Sequence, residues 1–115
     1  MTVSTALSTA DELRPNAISD ETKASLLYEL EGHVAEMMGV EPPAFDFPAK
    51  RELLLQPPYD MTYVKYLVAM IDYYQDETTL YANDLTVFND AMREAAAAWR
   101  RQHPTPDRKN WKVMP

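Results

Sequence analysis

The side chains able to do acid–base or metal chemistry are few, and their spacing is the place to begin. Two histidines, His33 and His103, supply the only imidazoles, and there is no cysteine. Glu29 and His33 stand at i, i+4, with Glu36 three further on. That is half of the carboxylate–histidine set with which a helical bundle holds a metal, and the other half must come from other helices. No second helix offers a carboxylate beside a histidine, so Glu29 and His33 read as an ordinary exposed helical pair. Asp72, Asp76 and Glu77 lie close enough to suggest paired carboxylates for proton transfer. They flank an expected helix break, however, where capping and solubility account for them. Tyr59, Tyr63, Tyr66, Tyr73, Tyr74 and Tyr81 could stack nucleic-acid bases. At helical spacing in an acidic chain they read instead as core and interface packing. Neither a phosphate-cradling glycine loop nor a Gly-flanked serine nucleophile is present. Without cysteine there is no thiolate metal site or disulfide framework. The expectation is a protein that is not an enzyme, with no catalytic residue, no cofactor and no metal.

The elements that carry these residues are helical. Only two glycines stand against many Ala, Leu, Met and Glu, and nine prolines fall between periodic segments. Thr2 to Leu13 predicts a short helix, capped by Thr2 or Ser4, with Val3, Leu7, Ala10 and Leu13 on one face. Arg14-Pro15-Asn16 ends it. Ser19 caps the next, with Asp20 and Glu21 at its positive end. Its apolar face is Leu26 or Leu27, Leu30, Val34 and Met37 or Met38, and Gly39 stops it. The organising stretch is Pro57 to Tyr74. Pro57-Pro58 is expected to hold the chain extended, and Asp60 to cap a nearly uncharged helix buried on most sides. Its apolar positions are Tyr63 or Val64, Leu67, Met70 or Ile71, and Tyr74. After a break near Gln75–Thr78, Tyr81, Leu85, Phe88, Met92, Ala95 and Trp99 step by four and three residues along one long helix. The two form an antiparallel hairpin. Ala95–Ala98 adds helix propensity and small side chains that permit close approach. His103-Pro104 ends the helix.

Between the second and third helices, Ala44–Gln56 predicts two short strands of a loose hairpin or an ordered loop. Connections this long are often functional. The fold class is thus all-α: a small helical bundle on a long antiparallel hairpin, with a loop or β-hairpin-like insertion and an extended C-terminal tail. Residues 1–103 form the helical domain, with the insertion at about 42–58, and 104–115 the tail.

Charge sharpens this division. The net charge is −7, which argues against a protein that grips phosphates. Residues 100–115 hold five basic residues and one acid, a balance of +4. The rest holds six basic and seventeen acidic residues, a balance of −11. The two parts are suited to different surroundings. Trp111, with Val113 and Met114 among Arg108, Lys109 and Lys112, reads as an anchor for a partner surface, since Trp is typical of binding hot spots. No run of about 18 apolar residues exists to span a membrane. The N-terminus lacks the basic-then-apolar order of a secretory signal.

The run Pro58-Tyr59-Asp60, Tyr63, Tyr66-Leu67, Ala69, Ile71-Asp72-Tyr73-Tyr74, followed by Glu77, Tyr81, Asn83, Phe88-Asn89 and Ala91, resembles the head–tail connector (adaptor) proteins of long-tailed bacteriophages. The opening Ala6-Leu7-Ser8 to Asp11-Glu12-Leu13-Arg14-Pro15-Asn16 and the helix ending Arg101-Gln102-His103-Pro104 are similar to that family too. Ala82 departs from it, standing where the family carries a polar residue, commonly Asn. The resemblance implies a helical subunit that forms a ring, usually of twelve copies, beneath the portal protein at the head–tail junction of a virion assembled in the host cytoplasm. Such a ring extends the DNA channel, lets double-stranded DNA pass without specific binding, and carries a stopper or tail-completion protein. It implies that the tail, here Arg108, Lys109, Trp111, Lys112, Val113 and Met114, inserts into the portal. Phe45, Phe47, Arg51 and Leu54 are the candidate loop contacts to a neighbouring subunit or the next neck protein. The competing expectation is a small acidic helical regulatory binder, antitoxin-like or DNA-mimicking, whose acidic face is the working surface.

Overall fold

The computed structural model describes residues 1–44 and 51–104. Four helices form an all-α bundle: α1 (Val3–Leu13), α2 (Asp20–Met38), α3 (Met61–Tyr74) and α4 (Thr78–Gln102). Local chemistry sets most of their ends. The Thr2 side chain accepts from the Thr5 N–H at 3.1 Å and starts α1. The Ser19 side chain accepts from the Thr22 N–H at 3.2 Å and starts α2. Gly39 stops α2 at φ +72°, and the Val40 N–H closes back on the Ala35 carbonyl at 3.0 Å. Polar side chains at these caps satisfy backbone donors that the first helical turn leaves unpaired.

Two expected boundary devices differ. Asp60 has helical backbone angles, φ −71° and ψ −19°, and its side chain makes no capping bond. A capping side chain folds over the first turn from an extended backbone, which Asp60 lacks. Its carboxylate lies instead 3.6 Å from the Met1 ammonium. The Pro57–Pro58 peptide is cis, and the Tyr59 N–H closes on the Gln56 carbonyl at 2.8 Å. The chain therefore turns here rather than running extended, a geometry that the tertiary amide of an X-Pro bond makes accessible.

Helix α3 packs on all three other helices. Its near absence of charge allows this: Tyr63, Val64, Leu67, Val68, Ala69 and Ile71 are all buried. All of these but Ala69 join Val3, Leu7, Leu27, Leu30, Val34 and Phe88 in one core. Helices α3 and α4 run antiparallel, with Tyr73 against Tyr81 at the turn and Tyr66 against Phe88 further along. The turn is tight: the Glu77 N–H donates to the Asp72 carbonyl at 3.0 Å, and Asp76 takes φ +58°, which Asp tolerates better than most residues. Of the expected α4 stripe, Phe88 and Ala95 are buried, and Tyr81, Leu85, Met92 and Trp99 are half-buried. Leu13 and Tyr74, expected on inward faces, are 57% and 48% exposed. Both lie at helix ends.

Among the described residues of the insertion no strand hairpin forms. Residues 51–56 are an ordered loop with a single antiparallel bridge from Glu52 to Thr2, and the Leu53 N–H donates to the Met1 carbonyl at 2.9 Å. Leu53 and Leu55 are buried in the core. Among the described residues no helix is long and apolar enough to cross a membrane.

Candidate functional site

Glu29, His33 and Glu36 are exposed on α2, and among the described residues no cluster of His, Asp and Glu could hold a metal ion. The polar groups that are buried serve to lock elements together.

One such group ties the insertion to the core. Glu31, on α2, is fully buried. Its Oε1 accepts from the Tyr63 hydroxyl at 2.5 Å, and its Oε2 from the Leu54 N–H at 2.8 Å. The Tyr63 hydroxyl in turn accepts from the Leu55 N–H at 2.9 Å. Burial pushes the Glu31 carboxyl up, while the Tyr63 hydroxyl, the Leu54 N–H and the Arg51 guanidinium pull it down. Burial and the adjoining Glu31 both push the Tyr63 phenol far up, so it stays a donor. The loop backbone would otherwise bury unpaired N–H groups, each costing about 1–3 kcal/mol.

A second group joins α1, α3 and α4. Asp72 is fully buried. Arg14 Nε lies 2.8 Å from Asp72 Oδ1, and the other arm of the guanidinium lies 2.6 Å from Asp84 Oδ2. Neither Asp72 oxygen has a well-aligned hydrogen-bond donor among the described residues. Burial, and then the facing Asp84 carboxyl, push Asp72 up to about 6 against the pull of Arg14. The facing Asp72 carboxyl, and then Arg14, hold Asp84 below the usual carboxylate range. Asp72 is thus not the solubilising residue of a helix break that its spacing suggested. A third lock, Lys23, is 2% exposed; its Nζ lies 2.6 Å from Asp11 Oδ1 and 3.2 Å from Asn16 Oδ1.

The exposed apolar side chains collect along the hairpin. Leu13, Met61 and Val87 stand exposed beside the buried Val64 and Val68 in a groove between the end of α1, α3 and α4, which Arg14, Lys65 and Asp84 also line. A second groove, lined by Leu30, His33, Tyr66, Phe88 and Met92, lies between α2, α3 and α4. Val64 and Tyr66 are two residues apart on α3, about 200° around the helix, so the grooves open on opposite sides of it. A third depression holds Leu54, Tyr59, Met38 and Trp99, with His103 stacked on Trp99 at 4.2 Å.

Of the loop candidates, Arg51 is exposed beside Glu31, and Leu54 is half-buried against the core. Phe45 and Phe47 lie outside the described residues, as do Arg108, Lys109, Trp111, Lys112, Val113 and Met114. The three polar locks escaped the sequence reading. Their partners lie up to seventy residues apart, and the one legible signal was charge at inward positions: Lys23 and Glu31 sit within the Leu27, Leu30, Val34 periodicity. Comparison with protein-family models, with curated proteins and with solved structures finds no match to this chain.

Proposed function

We propose that this chain is a non-enzymatic structural subunit: a head–tail adaptor that forms a ring below a portal protein and joins a capsid to a tail. The observation that carries the reading is the pair of unlike grooves, each apolar at its base with charged residues in its lining, on opposite sides of α3. A closed ring of identical subunits needs two different, mutually complementary faces on each copy. The residues quoted above for the adaptor resemblance cover the same hairpin. The acidic body suits a channel wall, because it repels phosphates and leaves passing DNA unbound. The tail of Arg108 to Met114 supplies the hold on the portal, and Arg51 and Leu54 lie on the insertion assigned to the next contact.

Electron microscopy of the full chain mixed with its cognate portal tests this. The expected result is a closed ring seated on the portal. Deleting residues 104–115 is expected to leave the helical domain folded and to abolish attachment. A chain that never closes into a multimer, or a truncated chain that attaches normally, overturns the proposal. A monomer that binds a basic protein through its acidic face would establish the regulatory-binder reading in its place.

A further inference from the structure

The α3–α4 turn carries a notch that the bundle leaves open, a cavity of about 370 Å³ with Tyr73, Tyr74, Tyr81, Asp76 and Glu77 in its lining. Tyr73 is 58% exposed and Tyr74 48%. The three rings form a continuous aromatic corner: Tyr73 stands edge-on to Tyr74 at 5.9 Å and tilted against Tyr81 at 5.4 Å. Among the described residues no basic side chain lines this notch, and the nearby Arg14 is held by Asp72 and Asp84. Exposed ring faces beside uncompensated carboxylates favour an ammonium or guanidinium, through cation–π contact and Coulomb attraction. They also favour an aromatic side chain that can stack on them.

One segment of this chain has that chemistry. Arg108, Lys109 and Lys112 surround Trp111, with Val113 and Met114 beyond. We propose that the notch at the α3–α4 turn captures the Arg108–Met114 segment of a second copy of this chain. Reach decides between the same chain and another. The notch lies at the start of α4 and the segment departs from its end. The 25 residues of α4 span roughly 37 Å. A tail that doubled back would spend about four residues on the reversal, leaving 107–111 about 17 Å of extended reach against roughly 31 Å from Gln102 back to Tyr81 at the notch, so Trp111 falls short of its own notch. The contact is therefore head-to-tail between copies. A tail held this way is withheld from any other partner, so the neighbour's notch and a portal compete for it. The proposal needs no portal and stands apart from the adaptor reading.

A charge exchange in the full chain tests it. One variant carries Asp76→Asn and Glu77→Lys, the other Lys109→Glu and Lys112→Glu. By sedimentation velocity at low salt, the unaltered chain is expected to self-associate. Each variant alone should associate at least about tenfold more weakly, a loss of about 1.4 kcal/mol. An equimolar mixture of the two should regain association, because the altered notch now faces the altered tail. That regain also shows that both variants are folded. An unaltered chain that stays monomeric assigns the notch to some other cationic partner and overturns the proposal. So does a notch variant that associates normally, or a mixture that regains nothing.

Discussion

Asp72 shows how a single buried carboxyl ties stability to pH. Its folded value, about 6, lies above the value near 3.9 expected in an unfolded chain. The folded protein therefore holds the proton more tightly. The stabilisation is fully present below the unfolded value and is lost as pH rises through about 6. Asp84 is shifted the other way, and what it contributes is lost only as pH falls below the ordinary carboxylate range. Between about pH 4 and 7 the melting temperature is thus expected to fall as pH rises, by several degrees. Asp72→Asn keeps the shape, removes the titration, and should flatten that slope in calorimetric scans. Tyr63 supports a different prediction. Tyr63→Phe removes the donor to Glu31 and the acceptor for the Leu55 N–H. The loss is expected to be about 1–3 kcal/mol, read as a lower urea midpoint with unchanged helical circular dichroism.

At the scale of the element, the ends of α2 are built differently from the start of α3. Ser19→Ala should cost about 1 kcal/mol, because the Thr22 N–H loses its acceptor. Gly39→Ala should cost a similar amount: there is room for a Cβ, but the backbone is left-handed at φ +72°. Asp60→Asn should cost only a few tenths of a kcal/mol, since the carboxylate caps nothing and its partner is the Met1 ammonium at 3.6 Å. Chemical denaturation of the three variants side by side gives the ranking. A cost for Asp60→Asn equal to that for Ser19→Ala would contradict the backbone geometry at the start of α3. Thr2, Ser19 and Gly39 were legible as helix boundaries because a cap is satisfied within three or four residues. The Pro57–Pro58 turn was not, because one X-Pro pair is compatible with both an extended and a turning chain.

At the scale of the whole molecule, α3 is buried by three neighbours and α4 by little more than one. Only Phe88, Ala95 and Ala98 of α4 are buried, so much of its length is surface on which contacts between copies can form. Val87 is 46% exposed in the groove it shares with Leu13 and Met61. Val87→Asp is expected to leave the melting temperature of the monomer within about 2 °C, as surface changes usually stay within ~0.5 kcal/mol. The same change should prevent ring closure on the portal, as seen by electron microscopy or mass measurement. A ring of normal size from this variant would remove the groove from the subunit interface.

The sequence by itself determined the four helices, most of their ends, the antiparallel hairpin and the separation of an acidic body from a basic tail. Each depends on periodicity or capping within a turn or two, or on composition. Only the tertiary structure decided what becomes of the buried charges. Glu31 bonds to a tyrosine thirty-two residues away, and Arg14 reaches Asp84 across seventy. The sequence spacing of such partners is unrelated to their distance in space, because it is the packing of three helices around α3 that brings them together. The same packing leaves Tyr73 and Tyr74 outside the core, since the helix that covers α3 along its length ends where the chain must turn.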